Sequence, residues 1–265
     1  MKIYISADIE GVTGVTSWSE TEKGNGDFGI FASQMTKEVK AACDGAVEAG
    51  VAEIYVKDAH DSGINIDIKE LPEYVKLQSG WAGDPMCMVS GLDESFDGVI
   101  FIGYHSRAGS GTSPLAHTLD TGMSYIKING VYASEFLINA YAAALYNVPV
   151  IFVSGDKGLM DEVKVTNGNI KTLAVKEGIG NCTVNIHPRK AIKDIKTLVK
   201  EVLLSDYSLC RLTLPDTFNI ELAYERHEKA YRNSFYPGAK LIEPRVISYT
   251  TDNYYEVLRL FHFLT

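Results

Sequence analysis

Short apolar runs that end in acids or histidines, separated by helical stretches, constrain this chain more than any other feature. Lys2 to Ala7 alternates in polarity and leads into acids and then Gly11 and Gly14, the pattern of a strand entering a loop. From Ser33 to Ala49 the residues Met35, Val39, Ala42, Ala46 and Val47 recur at three- and four-residue steps, and Gly50 stands where a helix-ending glycine belongs. "AEIYVKDAH" reads as a second strand. Further strands are predicted over 74–78, 98–104, 125–128 and 148–154, with a helix over 134–146. Strands alternating with helices of that length join as βαβ units in a mostly parallel sheet covered on both faces. After Pro188 comes a Lys-rich amphipathic helix to about Ser205, and "TFNIELAYE" sets Phe218, Ile220, Leu222 and Tyr224 on one face. The expected fold class is α/β: a doubly wound, mostly parallel sheet over 1–187 with a smaller C-terminal α+β part over 188–265.

Several function classes drop out on composition. Twenty-five Lys and Arg against thirty-four Asp and Glu give a net charge of −9, so neither nucleic acid nor an anionic membrane surface is an expected partner. The longest apolar runs fall far short of the roughly 20 residues that span a bilayer. The N-terminus shows no apolar leader core, and a cytoplasmic location is expected. Four cysteines without a C-x-x-C pair are expected to be reduced, buried thiols. "GNGDFG" at Gly24 to Gly29 matches a dinucleotide-binding spacing but lies in a polar stretch away from any strand-to-helix turn. No nucleophile-elbow or phosphate-loop motif is present.

In open α/β sheets ligands bind beyond the carboxyl ends of the strands. Asp8 and Glu10 follow the first strand, His60 ends the second, His105 ends "GVIFIGYH", and Glu135 opens the helix after Asn129-Gly130. In extended chain, residues two apart face the same way, so Asp8 and Glu10 can enter one site. Plainer roles exist for each: turn bonding before Gly11 for the two acids, helix-terminus complementation for Glu135, and loop hydrogen bonding for the histidines. Their joint placement points to metal. Three carboxylates and a bridging hydroxide balance the charge of two zinc ions, and carboxylates with imidazoles but no thiolate suit zinc or manganese in a hydrolytic role. His117, past the small-residue loop "SRAGSGTSPLA", is either an unliganded catalytic imidazole or a surface histidine. Arg107 on the same loop is expected to face solvent rather than substrate.

The segments "KIYISADIEGVTG", "KDAHDSG", "IGYHS", "LAHT" and "NGVYASE", continued by "PGAKLIEPRVISYTTDN", resemble the D-aminopeptidases of the dipeptide-transport operon, a family of dinuclear zinc peptidases. The resemblance spans most of the chain. It implies two zinc ions per chain, with Asp8 bridging both, Glu10 and His105 completing one site, and His60 and Glu135 the other. His117 matches the histidine that the family treats as its nucleophile; a catalytic imidazole is the better chemical assignment, because a neutral imidazole attacks an amide poorly. The implied activity is release of N-terminal D-amino acids such as D-alanine from short D-amino-acid-containing peptides. The implied assembly is a homo-oligomer of stacked pentameric rings, a ring-shaped decamer. Two other readings fit the same residues: another dinuclear amide hydrolase, or a non-catalytic metal- or metabolite-binding protein.

Overall fold

The computed structural model describes residues 1–265 throughout. The first half runs β1 (Lys2–Ala7), α1 (Phe28–Glu48), β2 (Glu53–Asp58), β3 (Val75–Gln78), β4 (Gly98–Tyr104), β5 (Met123–Ile128), β6 (Val131–Tyr132) and α2 (Glu135–Leu145). The second half runs β7 (Val150–Asp156), α3 (Lys157–Thr166), β8 (Lys171–Ile179), β9 (Cys182–Asn185), α4 (Pro188–Leu203), β10 (Phe218–Tyr224), α5 (His227–Asn233), β11 (Lys240–Glu243), β12 (Val246–Thr251) and α6 (Tyr254–Leu264).

Seven strands form one sheet in the order β3-β2-β1-β4-β7-β8-β9, parallel throughout except for the β8–β9 pair. β4 and β7 are buried at every position. That is what a sheet covered on both faces imposes, and it explains why these strands read as continuous apolar runs rather than alternations. α1 and α4 pack closely enough that a Cβ on Gly45 would lie 2.4 Å from Lys196 O.

The remaining five strands form an antiparallel sheet, β11-β12-β10-β5-β6. The expected boundary at 188 falls at the start of α4, and residues on each side of it serve both sheets. β5 and β6 lie before it yet pair on to β10, while α4 lies after it and packs on α1. One cluster of 67 buried apolar residues runs through both sheets, so they share a core. The hinge of that core is aromatic: Tyr254 of α6 stacks near Phe218 and Tyr141, and its hydroxyl donates to Ile138 O at 2.8 Å.

α1 begins at Phe28, five residues before the periodicity predicts, so the end of "GNGDFG" is helical and the rest is turn. All four cysteines are free; Cys43 and Cys210 are buried as expected, while Cys182 on the edge strand β9 is exposed.

Candidate metal centre

Asp8 and Glu10 leave β1, His60 follows β2 and His105 follows β4, so three adjacent parallel strands deliver four side chains to one crevice. β1 lies between β2 and β4, where the winding reverses, the place at which open α/β sheets bind ligands. The Asp8–Glu10 loop rests on β4: Asp8 N donates to Ile102 O at 2.9 Å and Gly11 N to Gly103 O at 2.7 Å. A Cβ on Gly11 would lie 1.9 Å from Tyr104 O, and one on Gly103, with φ at +73°, would lie 2.2 Å from Asp8 O. Only glycine permits that approach. Glu135 arrives from α2, whose first turn is capped by the Ser134 hydroxyl. Its Oε1 accepts from Leu119 N at 2.7 Å.

All six predicted side chains meet. His60 Nδ1 lies 3.4 Å from Asp8 Oδ1 and 3.1 Å from Glu10 Oε2. His105 Nε2 lies 3.4 Å from Asp8 Oδ2 and 3.3 Å from Glu135 Oε2. His117 Nε2 lies 4.0 Å from Glu10 Oε1 and 3.7 Å from Glu135 Oε1, and its ring stacks on His105 at 4.3 Å. His117 is therefore part of the cluster and not a surface residue.

Each imidazole turns its other nitrogen to a backbone carbonyl at 2.9 Å: His60 Nε2 to Thr21 O, His105 Nδ1 to Ser106 O, and His117 Nδ1 to Leu115 O. A carbonyl only accepts, so those nitrogens carry a proton, and each inward nitrogen meets the carboxylates either with a second proton or with a lone pair turned to a cation. Consistent with a cation, Glu10 Oε2 and His105 Nε2 are buried without a hydrogen-bond partner. Three groups have donor atoms within 4.8 Å of one another: Asp8 with Glu10 and His60, Asp8 with His105 and Glu135, and Glu10 with His105 and His117. The first two share Asp8, one oxygen to each. Glu10 belongs to two of these groups and so stands within reach of both His60 and His105.

The electrostatics point the same way. Burial opposes a charge on His60, and Glu10 with Asp8 overrides it, holding the ring's pKa up to about 12. Against the same opposition Glu135 and Asp8 hold His105 up to about 10. Burial and the Glu10 charge push Asp8 well above the usual carboxylate range. Glu10, despite burial, is held well below it by His60, and Glu135 is lowered by His105. The acids pull a positive charge into the site, and a divalent ion meets that demand more fully than ring protons do. The donor set fits zinc.

The cluster opens into a cavity of about 880 Å³ whose walls include Trp18, Trp81, Met86, Pro114, Phe261 and His262. Trp18 packs edge-on against His117 at 5.3 Å. Sequence reading missed these walls: they come from four separate segments, and no local pattern marks them. His262 contributes to the cavity from α6. Arg107 does not line this cavity and is partly exposed. Its Nε lies 3.3 Å from Glu162 Oε1 and its guanidinium 4.3 Å from the Tyr132 ring centroid.

The chain is similar to known proteins in sequence and in fold. The model of peptidase family M55, described as D-aminopeptidase, matches residues 1–263. A D-aminopeptidase of Bacillus subtilis (strain 168) is 30% identical over 242 residues, covering 91% of this chain and 88% of that protein. The solved structure of DppA from Bacillus subtilis, a zinc-dependent D-aminopeptidase and self-compartmentalizing protease, superposes with a TM-score of 0.92 at 27% identity, covering 98% of this chain and 95% of the other.

Proposed function

This chain belongs to the D-aminopeptidase family, and from that premise we propose that it is a zinc-dependent aminopeptidase releasing N-terminal D-amino acids, D-alanine among them, from short peptides. The observation that carries the reading is the convergence of three carboxylates and three tautomer-locked imidazoles at the switch point of the parallel sheet, in front of a cavity. We assign Asp8, Glu10, His60, His105 and Glu135 as the ligands of a pair of zinc ions, with Asp8 common to both. Bound zinc supplies Lewis acidity, polarising a scissile carbonyl and making a nearby water acidic.

The protein's own groups do the rest. His117 turns Nε2 to the centre, because its Nδ1–H is committed to Leu115 O, and in the neutral ring Nε2 is then the basic nitrogen. That nitrogen takes a proton from the water adding to the carbonyl and returns it to the departing amine, the ordinary work of a general base and acid. Trp18 against one edge of the ring and His105 against its face hold the imidazole in place. The cavity wall orients the peptide and keeps bulk water from the reacting carbon.

The proposal extends to location and assembly: a cytoplasmic enzyme whose chains form stacked pentameric rings, about ten copies in all. Exposed apolar side chains on and around the antiparallel sheet, including Val131, Tyr132, Phe235, Leu241 and Ile242, supply surface for such contacts. Metal analysis paired with rates on D-alanyl and L-alanyl dipeptides tests the activity. Faster cleavage of the L-isomers would defeat the D-peptidase reading and leave a metal-dependent amide hydrolase. Light scattering tests the assembly, and a stable monomer would end it.

A further inference from the structure

Lys57 in β2 is fully buried, yet its ammonium is directed at no carboxylate. Burying such a charge is costly unless its donors are satisfied. Here Nζ donates to Asp58 O at 2.5 Å and Gly80 O at 2.9 Å, and it sits 4.1 Å from the centroid of the Trp81 ring. These contacts tie the segment that carries His60 to the turn that carries Trp81. Gly80 N closes the same joint by donating to Gly63 O at 2.7 Å, and a side chain on Gly63 would strike Gly80 at 2.9 Å. The indole is pinned a third time, its Nε1 donating to Asp61 O at 2.6 Å.

So much fixing is unneeded for a surface tryptophan. Trp81 is nevertheless 42% exposed, and it lines the same cavity as His60, together with Pro85 and Met86. We propose that Trp81 is a specificity-determining wall of the substrate site that takes an apolar side chain of the peptide, and that Lys57 is the positioning residue holding it there. The proposal rests on the aminopeptidase reading above. A substrate ammonium is not the group that stacks on this ring. The Lys57 charge already draws on the ring's negative face and repels a second cation across it. An apolar side chain suffers no such penalty and gains an aromatic contact.

Two peptide pairs test the wall: D-leucyl-glycine against D-alanyl-glycine, and D-alanyl-D-leucine against D-alanyl-glycine. In at least one pair Trp81→Ala should raise KM for the leucine peptide about tenfold while kcat stays within about twofold, and Trp81→Phe should restore most of the loss. Lys57→Met should move the same KM in the same direction by a smaller factor with zinc content retained, and Lys57→Arg should move it less. An unchanged leucine preference in both pairs, a parent enzyme that distinguishes the leucine peptide in neither pair, or loss of zinc from Trp81→Ala would each overturn the proposal.

Fluorescence separates this from failure of the parent reading. The chain has only two tryptophans, so in Trp18→Phe the emission comes from Trp81 alone. Of D-leucyl-glycine and D-alanyl-D-leucine, each with a reduced peptide bond, at least one should shift that emission on binding. A shift from a protein that hydrolyses no peptide would keep the wall and refute the peptidase. Hydrolysis with no shift would do the opposite.

Discussion

The parallel and antiparallel sheets bury different chemistry. Within the parallel sheet and its helices lie Asp8, Glu10, Glu38, Lys57, Asp58, His60, His105, Glu135, Asp156 and Lys176, all buried. The antiparallel sheet is lined instead by Phe218, Ile220, Leu222, Tyr224, Val246 and Ile247, and past Lys176 the one buried polar side chain is Asn233. The charges outside the cluster sit where they hold its loops. Lys176 donates to Glu10 O and Val15 O. Asp58 accepts from the backbone of Asn65 and Ile66, and Asn65 Nδ2 in turn donates to His60 O at 2.7 Å. Asp156 accepts from Ser106 N, beside His105, at 2.7 Å. Parallel strands end in long crossover loops that need such ties. In the antiparallel sheet β5–β6 and β11–β12 close in short turns, and its buried face is an apolar wall. One sheet carries the chemistry and the other carries packing and surface.

That division can be broken at several points. The largest effect should come from Asp8→Ala, which removes the carboxylate shared by two donor groups and should abolish zinc uptake and hydrolysis, read by elemental analysis and peptide release. Cooperative melting should survive, because the apolar core is untouched. A variant that keeps its full zinc would show that Asp8 is not the shared ligand. His117→Ala should keep zinc and lower kcat by about 10² to 10⁴. If zinc is lost instead, His117 belongs among the ligands, and the third donor group is a metal site. In the other sheet, Phe218→Ala should cost about 3 to 5 kcal/mol in denaturant unfolding while the folded variant retains its kcat. A collapse of kcat well below the melting temperature would mean that the second sheet shapes the site after all.

The smallest effect sharpens the contrast through pH. Burial pushes the Glu38 carboxyl above its ordinary value, so the folded chain holds that proton longer than the unfolded chain does. Stability from this group is therefore lost as pH rises from about 4.3 through the raised folded value. Glu38→Gln should flatten the fall of melting temperature over that interval relative to the parent. An identical slope would mean that Glu38 does not contribute to the pH response of the first sheet.

The strands that lead into the site, β1, β2 and β4, and the six clustered residues were legible because both depend on local order, whereas β6, β8, β9, β11 and β12 were not read. A strand end followed by an acid or histidine is visible in a few residues, and the parallel topology then gathers the ends. The pairing of β5 with β10 was not legible, since Ile128 meets Ile220 across a long crossover that no periodicity reports. The same holds for Arg107 and Glu162, and for Trp18, Trp81 and His262, which meet at one cavity from distant segments. α1 begins early because its first turn, Phe28 to Phe31, holds no buried residue, so buried-face periodicity does not register it.

The three carbonyls that orient the imidazoles belong to Thr21, Ser106 and Leu115, and none of them is a side chain. Replacing any of these residues by alanine leaves the carbonyl in place, so a scan of side chains would pass over the outer layer of this centre in silence. What the layer does register is chain length and path. A single-residue insertion or deletion between Trp18 and Thr21 would swing the Thr21 oxygen away from His60 and free the ring to rotate or change tautomer. Within this family, tolerance of sequence drift at these three positions should coexist with intolerance of gaps beside them.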